Sequence, residues 1–166
     1  MTMSFRTACL LGFLACAAMM GYALYAQHGL GLEPCPLCIL QRMAVIAVGV
    51  VFLAGAIHAP RRAGRWVYAG LALLAAAAGG GVAAHHVWLQ SLPADQVPAC
   101  GPGFDYMIDA FPLSQALRMI FAGSGECAEI DWTLFGLSMP VWTLIGFAGL
   151  ALWAIWTGLR RAPSAR

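Results

Sequence analysis

Charge is what this sequence has least of. Only 10% of its 166 residues are Asp, Glu, Lys or Arg, and lysine is absent, so all nine basic residues are arginine. Four intervals, 7–32, 43–60, 66–94 and 132–159, contain none of these four residue types. The remaining polar sequence is too short to solvate a water-soluble domain of this size, which argues against a soluble helical bundle. A basic patch for nucleic acid is not needed to explain the net charge of +2, and nucleic acid is not an expected partner. The one C-x-x-C pair, Cys35-Pro36-Leu37-Cys38, lacks the histidine that c-type haem attachment requires, because Ile39 follows it. No second close pair of cysteines accompanies it, so the usual zinc signature is missing and no metal is expected. No internal repeat is visible.

What is present is apolar. Hydrophobic residues make up 61% of the chain, with a mean hydropathy of +0.78. Each uncharged interval supplies the roughly 17–25 apolar residues of a bilayer-spanning helix. Lipid leaves no water for exposed backbone groups, so spans of this length are helical. The expected fold is therefore all-α, an integral membrane four-helix bundle in a single domain over 1–166, with helices at about 8–26, 39–58, 66–89 and 139–159.

The arginines set an orientation. Arg6, Arg61, Arg62, Arg65, Arg160, Arg161 and Arg166 fall at the N-terminus, the second connection and the C-terminus. All acidic residues (Glu33, Asp95, Asp105, Asp109, Glu126, Glu129 and Asp131) fall in the first and third connections. The positive-inside rule then puts both termini in the cytoplasm and leaves two external loops, about 27–38 and 91–137. Arg6 and the apolar run after it permit a signal peptide. The run ends Ala23-Leu24-Tyr25-Ala26, however, a poor cleavage site, and a retained first helix is expected.

The second connection is short and carries Pro60, which makes helices two and three antiparallel neighbours. Gly79-Gly80-Gly81 in helix three suits close packing against another backbone. The third connection is unusually long, a length that marks functional or disordered loops. Within it Leu113, Leu117, Ile120 and Phe121 recur at helical spacing after Pro112, predicting a short amphipathic helix at the membrane interface. Gly123-Ser124-Gly125 breaks that helix just before Cys127.

The cysteines divide by location. Cys9 and Cys16 lie seven residues apart within helix one, on nearly one face, and read as small buried hydrophobes. Cys35 and Cys38 belong to the first external loop, Cys100 and Cys127 to the second, on the side where disulfides persist. Three readings of these four compete: a zinc site; two static disulfides, in which Cys100–Cys127 would add about 3–4 kcal/mol by loop-entropy arithmetic; and a redox relay. The surroundings of Cys38 favour the relay. It sits near the start of helix two, where unsatisfied N–H groups stabilise a thiolate, and Arg42 follows four residues later on the same face. A guanidinium at the edge of the hydrocarbon either finds a partner, such as a thiolate or the oxygen of a lipid-soluble acceptor, or snorkels to headgroups.

The segments Cys35-Pro36-Leu37-Cys38-Ile39-Leu40-Gln41-Arg42, Gly123-Ser124-Gly125-Glu126-Cys127-Ala128-Glu129, and Trp132 followed by Gly136-Leu137-Ser138-Met139-Pro140 resemble the DsbB family. These are bacterial inner-membrane proteins that reoxidise the periplasmic oxidant DsbA with quinone. The resemblance extends over nearly the whole chain and implies a membrane thiol:quinone oxidoreductase with ubiquinone as cofactor and a DsbA-like thioredoxin-fold protein as partner. It implies that the partner attacks Cys100 of a Cys100–Cys127 disulfide, that Cys127 then attacks Cys35, and that Cys38 is released beside Arg42 and the quinone. It further implies a histidine near the quinone, at His86, whereas His28, His58 and His85 carry no expected role. Gln41 stands where some members have Glu, and neither it nor Gln90 is given a role. A related oxidase for a different dithiol partner, and a non-enzymatic membrane protein with static disulfides, are the alternatives.

Overall fold

The structure, a computed structural model, describes residues 3–60, 62–93, 95–99, 101 and 104–159. Four long helices dominate: α1 (Phe5–Gly29), α2 (Pro36–His58), α3 (Arg62–Gln90) and α7 (Met139–Leu159). The connection between α3 and α7 folds into three short helices, α4 (Phe104–Ala110), α5 (Leu113–Ala122) and α6 (Gly125–Ala128). A two-stranded hairpin follows them, β1 (Thr133–Leu134) and β2 (Leu137–Ser138).

Local chemistry explains the helix ends. Ser4 caps α1 by accepting the Thr7 N–H at 3.1 Å. α2 starts at Pro36, three residues ahead of the expected Ile39, because proline is well suited to the first helical position and the Cys35 sulfur serves as the cap. It stops at Ala59, which takes the left-handed conformation (φ 40°) as its N–H bonds the Gly55 carbonyl; Pro60 next in line cannot continue the helix.

In the bundle, α2 packs against α1 and α3, α3 against α7, and α7 returns to α1. The core contains Phe5, Cys9, Val48, Phe52, Phe147 and Leu150. Trp153 on α7 donates its indole N–H to the Ala8 carbonyl of α1 at 2.9 Å. Cys9 and Cys16 both face α2 opposite glycines: a Cβ on Gly55 would lie 3.3 Å from the Cys9 sulfur, and one on Gly49 would lie 3.2 Å from the Cys16 Cβ. Small residues at these crossings let two backbones approach, the mode by which helices associate in lipid. Outward, Leu14, Val50, Leu74 and Leu152 are more than half exposed. An apolar coat on all four helices suits hydrocarbon and would aggregate in water.

Of the three consecutive glycines in α3, only Gly79 is sterically required. A Cβ there would run into the Phe147 ring and come within 2.8 Å of the Ala44 Cβ, whereas at Gly81 it would meet nothing. Gly79→Val is expected to destabilise the bundle by about 1–3 kcal/mol, the usual range for overpacking. Gly81→Ala should be neutral or stabilising by up to about 1 kcal/mol. Thermal unfolding of the two variants in detergent checks both.

The third connection is more ordered than an open loop. The amphipathic helix expected after Pro112 is α5, which buries Ala116 and Ile120 with Met107 of α4 and packs on Leu40 of α2. Its Leu113, Leu117 and Phe121 remain on the outer face. The hairpin was not anticipated, because strands of two residues are too short to show alternation. Its turn is made by Phe135 and Gly136, both at positive φ. Trp132 just before it packs edge-on against Tyr22 of α1, with ring centroids 5.8 Å apart.

Candidate redox site at the start of helix α2

The site is built where α2 begins. Helical spacing folds Cys38 back over its own cap: the Cys35 sulfur accepts the Cys38 N–H at 3.4 Å and stands 3.1 Å from the Cys38 sulfur. A disulfide bond is about 2.05 Å long, so a small side-chain adjustment joins or parts the pair. Cys35 is buried, and Cys38 is partly exposed.

Cys127 reaches this pair from the far connection. The chain turns between α5 and α6 at Gly123, whose φ of +79° suits glycine. Any side chain there would collide with Leu89 of α3. The turn delivers Cys127, fully buried, into a cluster with Cys35, Leu37 and Leu89. The Cys35 sulfur, the Cys127 sulfur and a ring nitrogen of His86 all lie within 4.8 Å of one another. A hydrogen bond to Cys35 favours the neutral form of the Cys127 thiol, and burial adds to it, so that thiol is held well above the ordinary range. Cys100 lies outside the described residues. Its neighbour Ala99 accepts the Gly125 N–H at 3.3 Å.

His86 joins the parts. Its Nε2 lies 2.9 Å from the Cys127 carbonyl and 3.8 Å from the Cys35 sulfur, and its Nδ1 lies 3.0 Å from the Gln41 amide nitrogen. A carbonyl only accepts, so Nε2 carries the hydrogen. In the neutral ring Nδ1 then accepts from Gln41. One turn on, Gln90 donates to the Glu129 carbonyl at 3.3 Å and accepts from the Ser138 hydroxyl at 2.7 Å. The face of α3 bearing His86 and Gln90 thus holds the third connection against α2.

Arg42 points the other way, toward α1. It donates to the Ala23 carbonyl at 3.0 Å and to the Gln27 side-chain oxygen. These two groups resolve the question of its partner within the protein, and Gln27 had no distinguishing signal in the sequence. Arg42 and Cys38 share a largely apolar cleft with Met19, Val45, Met139 and Pro140. Gln41 lines the same cleft while bonding His86. His86 itself opens onto a neighbouring cleft with Cys35 and Cys38. The arrangement offers three adjacent sulfurs, with a guanidinium beside the one that lines the apolar cleft.

Comparison with known proteins places the chain in a family. The family model of Disulfide bond formation protein DsbB matches residues 5–157. The chain is 54% identical over 150 residues to the Disulfide bond formation protein B of Hahella chejuensis, covering 90% of this chain and 91% of that one. It is 58% identical over 151 residues to the protein of the same name from Chromohalobacter salexigens, covering 90% and 88%. Over 159 residues it is 52% identical to that of Saccharophagus degradans, covering 96% of each.

Proposed function

Because the chain belongs to the family of the disulfide bond formation protein DsbB, we propose that it reoxidises a periplasmic DsbA-like dithiol protein and passes the electrons to ubiquinone from the bacterial inner membrane. It is a multi-pass, disulfide-forming oxidoreductase of that family. The finer assignment rests chiefly on one observation: the Cys127 sulfur lies against Cys35, while Cys38 lines the cleft of Arg42.

Together with the Cys100–Cys127 pairing that the family resemblance implies, that order supports the following exchange. A partner thiolate attacks Cys100 of the Cys100–Cys127 disulfide, forming a mixed disulfide and releasing Cys127. Cys127 attacks Cys35 of the Cys35–Cys38 disulfide, forming Cys35–Cys127 and releasing Cys38 as a thiolate. The partner's second thiol expels Cys100, completing the partner's own disulfide. Cys100 then attacks Cys127, restoring Cys100–Cys127 and leaving Cys35 and Cys38 as the reduced pair that holds the two electrons. Each step exchanges one S–S bond for another, so the electrons move as a pair. The start of α2 favours Cys38 as the leaving thiolate.

The apolar cleft suits a quinone, and Cys38, Arg42, Met19 and Pro140 are among the residues that would hold it. A quinone bound there supplies a two-electron, two-proton acceptor. Arg42 brings fixed positive charge to the cleft, and Ala23 and Gln27 orient its guanidinium.

Purified protein, supplied with reduced partner and ubiquinone, should oxidise the partner catalytically, and thiol trapping should show the four loop cysteines changing state. Unchanged cysteines would mean static disulfides and no relay. Oxidation of other thioredoxin-like proteins in preference to DsbA would reassign the partner.

The raised Cys127 thiol carries a pH prediction. In Cys100→Ser with the Cys35–Cys38 disulfide formed, Cys35 is no longer a free thiol and burial alone holds the Cys127 thiol up, so Cys127 starts protonated and must ionise before it attacks Cys35. Formation of Cys35–Cys127 should therefore accelerate with rising pH, by up to roughly tenfold per unit while the thiol stays mostly protonated. Quenching with an alkylating agent at intervals across a pH series measures this.

A further inference from the structure

We infer that in the dithiol state Cys35, Cys127 and His86 form a binding site for a thiophilic divalent cation such as Zn2+ or Cd2+. The site requires only that the thiols be reduced and does not depend on where the electrons go.

The ligand set carries the inference. Two sulfurs and an imidazole nitrogen lie within 4.8 Å of one another, all three residues buried. In a tetrahedral zinc site, bond lengths of about 2.0–2.3 Å place neighbouring ligand atoms roughly 3.5–3.8 Å apart. Cys35 and His86 Nε2 already stand 3.8 Å apart. Cys38, with its sulfur 3.1 Å from that of Cys35, is the nearest donor for a fourth position. The ligands come from the cap residue of α2, from α3 and from α6, each held by its own packing, so little ordering remains to be done on binding.

A second observation concerns access. The cleft that opens onto Cys35, Cys38 and His86 is rimmed by Glu33, Glu126, Glu129 and Asp131. Four of the chain's seven acidic residues therefore surround one opening, a field that concentrates cations at the thiols.

Binding requires a proton rearrangement that the site permits. Each coordinating thiol loses its proton to solvent. His86 must give up the Nε2–H now bonded to the Cys127 carbonyl and carry its hydrogen on Nδ1. Rotating the Gln41 amide by half a turn presents Oε1 to that Nδ1–H, the outer-shell hydrogen bond that metal-ligating histidines usually have. A disulfide at Cys35 or Cys127 removes a ligand, so binding is gated by redox state, and a bound cation occupies the sulfurs the relay needs.

The test is equilibrium dialysis of Zn2+ against the full-length protein in detergent, reduced with a phosphine. Co2+ serves as a spectroscopic probe. One Zn2+ per chain, thiolate-to-Co2+ charge-transfer absorption, and loss of both on oxidation are expected. His86→Ala should weaken binding by roughly 100-fold or more, and Gln41→Leu by roughly 10–100-fold. Cys9→Ser and Cys16→Ser should leave it unchanged. Should His86→Ala fail to fold, X-ray absorption of the unsubstituted Zn2+-loaded protein counts sulfur and nitrogen ligands directly. A shell of oxygens only, which would place the ion on the acidic rim, overturns the inference. So does binding that survives oxidation, or no binding by the reduced protein.

Discussion

Cys38→Ser is expected to reduce turnover to background and to move the disulfide of Cys127 from Cys100 to Cys35: the freed Cys35 thiolate attacks Cys127 of Cys100–Cys127 and expels Cys100 as a thiol. Cys35 is the branch point of the site. Its sulfur lies 3.1 Å from that of Cys38 and within 4.8 Å of that of Cys127. Without Cys38, Cys127 is the sulfur left near Cys35 among the described residues, and the bond they form has no thiol on the cleft side to displace it. Only the chains that still hold the Cys100–Cys127 disulfide should accept attack by reduced partner, because that step breaks the bond between Cys100 and Cys127. Non-reducing gels after proteolysis between the loops would show fragments from residues 27–38 and 91–137 still joined. If these fragments separate while turnover is lost, the exchange does not pass through Cys35 and Cys127, and the order proposed for the relay is wrong.

The next largest effect is expected at Arg42. Arg42→Ala should raise the Km for ubiquinone by about 10- to 150-fold, the equivalent of one charge-assisted hydrogen bond of about 1.5–3 kcal/mol. Mixed-disulfide formation with the partner should be unaffected, because Arg42 faces α1 and the apolar cleft, away from Cys127. Arg42→Lys should recover only part of the loss: it keeps the charge but gives up the fixed fork that spans Ala23 and Gln27. Steady-state kinetics with quinone varied at saturating partner separates the two substrates. An unchanged quinone Km would remove Arg42 from the acceptor site and leave it a purely structural link between α1 and α2.

His86 is joined to the rest of the site by contacts that only the packed helices show. The family resemblance pointed to a place near the quinone, and in the structure its ring faces Cys35 and the Cys127 backbone. The connection to the Arg42 cleft runs through Gln41, a residue that carried no assigned role. Neither side chain had a signal of its own. A buried glutamine at 4% exposure is unusual within an apolar span, and that burial is visible only once the helices are packed.

The four spans and the amphipathic α5 were legible in the chain itself. Each depends on neighbours within a turn or two: an uncharged run, an apolar repeat after Pro112. The meeting of Cys127 with Cys35 depends instead on a reversal at Gly123 and on the Gln90 and His86 bonds that hold the third connection down. The grip of Ala23 and Gln27 on Arg42 likewise depends on how α1 lies along α2. Periodicity and charge are written along the chain, whereas contacts between distant segments are chosen by which packing buries the most surface and leaves the fewest polar groups unpaired. That choice belongs to the assembled bundle, and it brought three sulfurs, one imidazole and one guanidinium to the same end of it.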